Sequence, residues 1–124
     1  MKELESIIEN SFVLSGRIFT LFCQLAKENN SDMASKIMKS NMPIRKYIDY
    51  AAASGTKSEY SEHVAKALQN AITLRYWLKC IQMKNIVCPA CEECVETLNL
   101  LINQLIACGM RQDVTKVLLQ PQLN

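Results

Sequence analysis

Residues 56–83, TKSEYSEHVAKALQNAITLRYWLKCIQM, contain the clearest helix signal in this sequence. Thr56 and Glu59 have the spacing of a capping box, in which the threonine hydroxyl accepts from the Glu59 amide and the Glu59 carboxylate accepts from the Thr56 amide. Apolar or aromatic side chains then recur at steps of three and four residues, the period of an amphipathic helix. They are Tyr60, Val64, Ala67, Leu68, Ala71, Leu74, Leu78 and Ile81. The stretch therefore predicts a helix of about seven turns that begins at the capping box.

Two further long helices are predicted on either side of this stretch. An apolar period of three to four residues runs through residues 2–28, and Gly16 weakens it without ending it. Another begins at Pro89, which suits a first helical turn, and continues to about Cys108. Gly109 is expected to end this last helix, because glycine adopts the conformation of a helix C-terminus at low cost.

The segment between residues 33 and 53 has a helical period but contains Pro43. Proline has no amide hydrogen, and its ring clashes with the preceding turn of a helix. We therefore predict a break or kink between Ser40 and Pro43. A helix then resumes with Pro43 in its first turn.

The length of 124 residues suits one domain with a single core. Three glycines and three prolines are too few for the turns of an all-β chain. Four amphipathic helices with short connections predict an all-α fold, an antiparallel up-down-up-down four-helix bundle. We assign the bundle to residues 1–109 and a C-terminal tail, which could add a short helix, to residues 110–124.

Few residues in the chain suit catalysis or cofactor binding. His63 is the only histidine, so catalytic triads and multi-histidine metal sites are poorly supplied. Gly16, Gly55 and Gly109 are scattered singly, and no phosphate-binding loop can be built from them. We therefore predict that the protein is not an enzyme and has no cofactor.

The six cysteines carry information about compartment and metal binding. No secretory signal precedes them and no apolar run is long enough for a membrane span, so we expect free thiols and a cytoplasmic location. Cys88, Cys91 and Cys94, with Cys80 as a fourth thiolate, could form a zinc site. Their spacing is imperfect for two metal-binding turns, and we favour packed thiols over a metal site.

Basic residues are concentrated in the middle of the chain. Residues 33–84 contain nine lysines and arginines and three acidic residues, against five and nine in the remainder, although the net charge is only +2. If the helices in this range are neighbours, one side of the bundle is basic. A solvated surface of mixed charge is the alternative interpretation.

The run Arg75-Tyr76-Trp77-Leu78-Lys79 places two aromatic residues between two basic ones. Base stacking and phosphate contact are both available to such a group. A tryptophan in mid-helix is more often a core or interface anchor. We favour that interpretation for Tyr76, Trp77 and Leu78.

Several short motifs resemble a known family. They are Lys39-Ser40 followed by Ile44 and Ile48, the run Gly55-Thr56-Lys57-Ser58-Glu59-Tyr60, the pair Ala67-Leu68, and Leu74-Arg75-Tyr76-Trp77-Leu78-Lys79. With them, residues from about 35 to 105 resemble the small four-helix bundle proteins associated with intervening sequences of 23S ribosomal RNA genes. Their relatives are the accessory variability determinants of diversity-generating retroelements. The sequence departs from the family pattern at Tyr47, Tyr50, Asn70 and Thr73, where many members have Asn or acidic residues.

The resemblance implies a homopentameric bundle with a basic surface and no catalytic residues. The retroelement branch, which we favour, associates with a reverse transcriptase and with nucleic acid, so both are expected as partners. Lys39, Arg75 and Lys79 match basic positions of the family, and charge clustering adds Lys36, Arg45, Lys46 and Lys66 as candidate nucleic-acid-binding residues. A structural protein-interaction bundle without nucleic-acid binding and a Cys-rich metal-binding bundle are the alternatives.

Overall fold

Four α-helices make up the computed structural model, which describes residues 2–84 and 88–110. They are α1 (Lys2–Lys27), α2 (Ser31–Ala52), α3 (Lys57–Met83) and α4 (Pro89–Met110). Each helix packs against two others: α1 and α3 both contact α2 and α4. This arrangement confirms the predicted all-α four-helix bundle.

The helix directions follow from side-chain contacts near opposite helix ends. Gln104, late in α4, bonds with Ser6 and Asn10, early in α1. Arg17, farther along α1, donates to the hydroxyl of Thr97, which lies earlier in α4. The first and fourth helices therefore run antiparallel, as they do in an up-down-up-down bundle.

A single core lies between the four helices. Its buried side chains recur at steps of three and four on every helix, because each helix presents one apolar stripe to its neighbours. The largest fully buried ones are Ile7, Leu14, Ile18, Leu21, Leu25, Ile37, Ile44, Ile48, Leu68, Leu74, Leu78 and Ile81.

Of the predicted break or kink at Pro43, the break is wrong and the kink stays a prediction. The second helix is continuous, with Pro43 inside it rather than in a first turn. Its buried residues keep their alternating spacing across the proline: Ala34, Ile37, Asn41, Ile44, Ile48 and Ala51. A break would remove one half of this stripe from the core, so tertiary packing outweighs the local cost of proline.

The turn between α1 and α2 is built on Asn29, whose φ of 61° lies in the left-handed region. The amide of Asn30 donates to the carbonyl of Leu25 at 2.9 Å, and that of Asn29 donates to the carbonyl of Ala26 at 3.3 Å. These bonds form a Schellman motif with asparagine in the place that glycine usually takes. The motif ends α1 and reverses the chain.

The start of α3 and the ends of α4 match the predictions from the sequence in part. Thr56 caps α3 as predicted, accepting from the Glu59 amide at 3.1 Å. The Glu59 carboxylate, however, accepts from the amide of Gly55 at 3.3 Å, where the prediction had Thr56 as the donor. Pro89 begins α4 as predicted. Gly109, the predicted stop, lies one residue before Met110, which is the last described residue of α4.

The predicted tail falls mostly on residues 111–124, which lie outside the described residues. No helix in the described part of the chain is both long and apolar enough to span a membrane.

Candidate nucleic-acid interface

Three of the seven candidate basic residues share one side of α2. Lys36, Lys39 and Lys46 are all exposed and are separated by three and seven residues, about one and two turns, which places them on one face of the helix. None of the three lies within ion-pair distance of a carboxylate in residues 2–84 and 88–110. Their charges are therefore available to an anionic partner.

Lysines of α2 and α3 lie over aromatic rings along the contact between the two helices; the Lys36–Trp77 and Lys66–Tyr47 pairs join the helices, and Lys46 and Tyr47 are both on α2. The Lys36 ammonium nitrogen lies 4.6 Å from the ring centroid of Trp77 on α3. Those of Lys46 and Lys66 lie 5.2 Å and 5.6 Å from the centroid of Tyr47. Cation–π attraction of this kind holds a lysine near a ring without neutralising its charge.

An aromatic cluster occupies the end of this contact. Tyr47 stacks on His63, with centroids 6.2 Å apart and an interplanar angle of 21°. Tyr50 meets both rings at steeper angles, with centroids 5.9 Å from Tyr47 and 5.4 Å from His63. Tyr50 is 48% exposed, so the cluster has one solvent-facing ring.

We call these residues together the basic–aromatic face. Its members are Lys36, Lys39, Lys46, Tyr47, Tyr50, His63, Lys66 and Trp77. Glu62 contributes a partly opposing charge, because its carboxylate forms an i,i+4 ion pair with Lys66 at 3.2 Å. The positive potential of the face therefore comes mainly from the three lysines of α2.

Arg45 belongs to a different side of α2. Its guanidinium lies 3.6 Å from the ring centroid of Phe12 on α1 and donates to the Ser11 hydroxyl at 3.4 Å. It also forms an ion pair with Asp49 at 3.0 Å. The structure therefore separates Arg45 from Lys46, its neighbour in sequence.

Arg75 and Lys79 also lie apart from the basic–aromatic face. Each is two residues from Trp77, which corresponds to about 200° around a helix of 3.6 residues per turn. Trp77 turns toward α2, where Lys36 covers its ring, so the two basic residues point elsewhere on α3. Arg75 is half-buried and Lys79 is exposed.

The three candidate anchor residues have three different environments. Leu78 is fully buried, and Trp77 is half-buried against the core. Tyr76 is 60% exposed and meets the Trp77 ring edge-on, with centroids 5.0 Å apart. Its exposed surface is not part of the core.

The cysteines of α4 are packed among apolar side chains. Cys88, Cys91 and Cys94 are buried, whereas Cys80 is half-buried on α3. The Cys91 thiol donates to the carbonyl of Leu78 at 3.7 Å. Among the described residues, no group of three or more His, Cys, Asp or Glu side chains is arranged to hold a metal ion.

Burial keeps these thiols protonated. Desolvation, with smaller contributions from the neighbouring Cys88 and Glu92, raises the pKa of Cys91 to about 11. Desolvation, with the nearby Cys91 and Cys88, raises the pKa of Cys94 to about 12. In this protonated form both side chains pack as small apolar groups.

Tyr47, Tyr50 and His63 were missed as site residues by the sequence analysis. A local signal existed, since two tyrosines three residues apart beside Lys46 share one face of a helix. The contribution of His63 had no local signal, because it depends on how α2 packs against α3.

No family model matches the chain, and none of the curated proteins matches it. Among solved structures, the chain is similar to a protein of unknown function from the S23 ribosomal protein family from Bacteroides thetaiotaomicron. The TM-score is 0.79 at 21% sequence identity, over 87% of this chain and 98% of the other. At this identity the similarity shows a shared fold, and we conclude that the two proteins have the same four-helix bundle.

Proposed function

We propose that this protein is a non-enzymatic adaptor that binds nucleic acid through the basic–aromatic face and a protein through another surface. The observation that carries the proposal is the row of Lys36, Lys39 and Lys46 on α2, which form no ion pair within the described residues and are bordered by aromatic rings. Lysine ammonium groups attract phosphates as point charges and carry no base specificity. Binding should therefore depend little on sequence and strongly on salt.

The number of lysines sets the expected salt dependence. Each neutralised phosphate contributes about −0.9 to the slope of log K against log salt for duplex DNA and about −0.7 for single strands. Three contacts give a slope of about −2 to −3. A much shallower slope would contradict binding through these lysines.

The proposed protein surface is the outer side of α1. Phe12 and Phe19 are 61% and 58% exposed and are two turns apart, with Gly16 between them on the same helix. Exposed aromatic side chains in a row are typical of protein interfaces. The family resemblance suggests two occupants, a further copy of the chain in a homopentamer and a reverse transcriptase.

A structural bundle that binds protein and no nucleic acid is the second candidate. The low net charge of +2 favours it, as do the exposed phenylalanines of α1. The two candidates differ in one respect: only the adaptor should bind nucleic acid when no protein partner is present.

Binding of labelled single-stranded and duplex oligonucleotides, measured by fluorescence anisotropy at several salt concentrations, tests the proposal. The Lys36→Glu/Lys39→Glu/Lys46→Glu variant should lose most of the wild-type affinity. A matched control, Lys27→Glu/Lys57→Glu/Lys84→Glu, makes the same change in charge at exposed positions outside the face. It should retain nearly all of the affinity.

Two results would count against the adaptor. Equal losses in both variants would show a general charge effect and no interface on α2. A wild-type protein that binds neither oligonucleotide would favour the structural bundle. Light scattering on the same samples gives the subunit count, and circular dichroism checks that each variant is folded.

A further inference from the structure

We infer that the basic–aromatic face takes single-stranded nucleic acid, with an unpaired base stacked on Tyr50 and the adjoining phosphates on Lys46 and Lys39. The inference rests on the proposed function and makes its ligand more specific. The proposed binding group then consists of the lysines and Tyr50, the solvent-facing ring of the aromatic cluster.

Tyr50 is held in place and yet accessible. The rings of Tyr47 and His63 contact it from within the α2–α3 surface. Nearly half of its surface remains exposed, at 48%. A ring supported by neighbours loses little conformational freedom when a base stacks on it, because much of that freedom is already lost.

Lysines continue from this ring along the same helix. The Lys46 ammonium nitrogen lies 5.8 Å from the Tyr50 centroid, close enough to meet a phosphate beside a stacked base. Lys39 is two turns farther along α2, so the distance from position 50 to position 39 is about 16 Å at 1.5 Å per residue. A short extended strand can therefore contact the ring and both lysines.

This combination favours a single strand over a duplex. Bases in a duplex are stacked on one another and cannot present their faces to a tyrosine, whereas unpaired bases can. Lysines contact the phosphates of single strands and duplexes alike, so the preference for a single strand rests on the exposed Tyr50 ring.

The other rings of the face are less available. Trp77 and Tyr47 are both half-buried, and lysines lie 4.6 Å from the Trp77 centroid and 5.2 Å and 5.6 Å from the Tyr47 centroid. Lys46 also lies over the Tyr50 ring, at 5.8 Å, but Tyr50 is the one of these three rings that is exposed. We therefore assign stacking to Tyr50 alone. The remaining rings support it and position the lysines.

The test compares a fluorescein-labelled single strand with the duplex of the same sequence and length, for wild-type protein and three variants. Tyr50→Leu should weaken single-strand binding about 5-fold or more, since base–aromatic stacking is worth about 1–3 kcal/mol per base. Its duplex affinity should stay unchanged. Tyr50→Phe keeps the ring and should bind as wild type. Leu100→Ala truncates a similarly exposed apolar side chain, 51% exposed on α4 and outside both proposed surfaces, and is the matched control.

The outcomes separate this inference from the proposed function. Equal wild-type affinity for both oligonucleotides, or an equal loss for both in Tyr50→Leu, would overturn single-strand stacking. If the triple lysine variant then still loses binding, phosphate contact through α2 stands. Failure of the wild-type protein to bind either oligonucleotide would overturn the proposed function itself.

Discussion

The imidazole of His63 on α3 stacks on the phenol ring of Tyr47 on α2, with the two planes inclined by 21°. Within the described residues its Nδ1 atom is buried and has no hydrogen-bond partner. The ring therefore contributes to helix packing as an aromatic surface, while one of its polar atoms is unsatisfied.

The first prediction is that His63→Phe stabilises the protein. Phenylalanine keeps a ring against Tyr47 and removes a buried polar atom whose lack of a partner costs about 1–3 kcal/mol. Urea unfolding should show a gain of about 1 kcal/mol in the free energy of unfolding. His63→Ala, which removes the ring as well, should be less stable than His63→Phe. A loss of stability in His63→Phe would mean that Nδ1 is hydrogen-bonded in solution.

The second prediction is that Pro43→Ala also stabilises the protein. Pro43 lies inside a continuous helix and cannot donate to the carbonyl of Lys39, one turn earlier. Alanine restores that bond and is intrinsically favoured over proline by up to about 3 kcal/mol inside a helix. Thermal unfolding should show a higher Tm than wild type.

Met42→Ala is the control for this change, since Met42 is exposed and keeps its amide in the helix. It should move the Tm little. A lower Tm for Pro43→Ala would show that the proline ring contributes more through packing than it costs in the backbone.

The third prediction concerns the order in which thiols react. Cys23 and Cys80 are half-buried, whereas the other four cysteines are buried. A disulfide reagent such as DTNB should therefore modify Cys23 and Cys80 first in the native protein, and all six only after denaturation. Peptide mapping by mass spectrometry identifies the sites.

A Cys23→Ser/Cys80→Ser variant should lack the fast phase of this reaction. Rapid modification of Cys94 in the native protein would contradict the packing of α4, because that thiol is fully buried.

The fourth prediction is a loss of stability at high pH. In the unfolded chain a cysteine thiol ionises near its ordinary pKa of 9.0, whereas burial raises the pKa of Cys91 to about 11 and of Cys94 to about 12. At pH values between 9.0 and these raised pKa values, Cys91 and Cys94 keep their protons in the folded state and have lost them in the unfolded state. The free energy of unfolding therefore falls as the pH rises from about 9 toward 12, and this contribution is absent below about pH 9.

Urea unfolding at several pH values measures this decline. Cys94→Val has no ionisable group and should make the decline shallower. Leu98→Ala, a truncation in the same core, should lower stability at every pH by about 2–5 kcal/mol without changing the slope. An unchanged slope in Cys94→Val would show that Cys94 does not contribute to the pH dependence.

Local patterns predicted most of the secondary structure. Thr56 and Pro89 mark helix starts because their effects involve only residues within one turn of them. Pro43 was judged by the same local rules, and the break predicted there is wrong. It lies inside a helix that the bundle core stabilises, which a single residue's preference cannot reveal.

The candidate site was less predictable than the fold. Clustering in sequence grouped Arg45 with Lys46, but the two side chains lie toward different helices. Tyr47 and His63 are distant in sequence and meet only because α2 packs on α3. Sequence proximity thus identified the basic helices without identifying which residues act together.

The sequence by itself determined four amphipathic helices and their antiparallel order, because apolar periodicity, caps and short connections act over a few residues. Tertiary structure decided which side of each helix faces its neighbours, and therefore which lysines share a surface with Tyr47, Tyr50 and His63. The physical reason is that the rotation of each helix about its axis is set by burial of its whole apolar stripe against other helices.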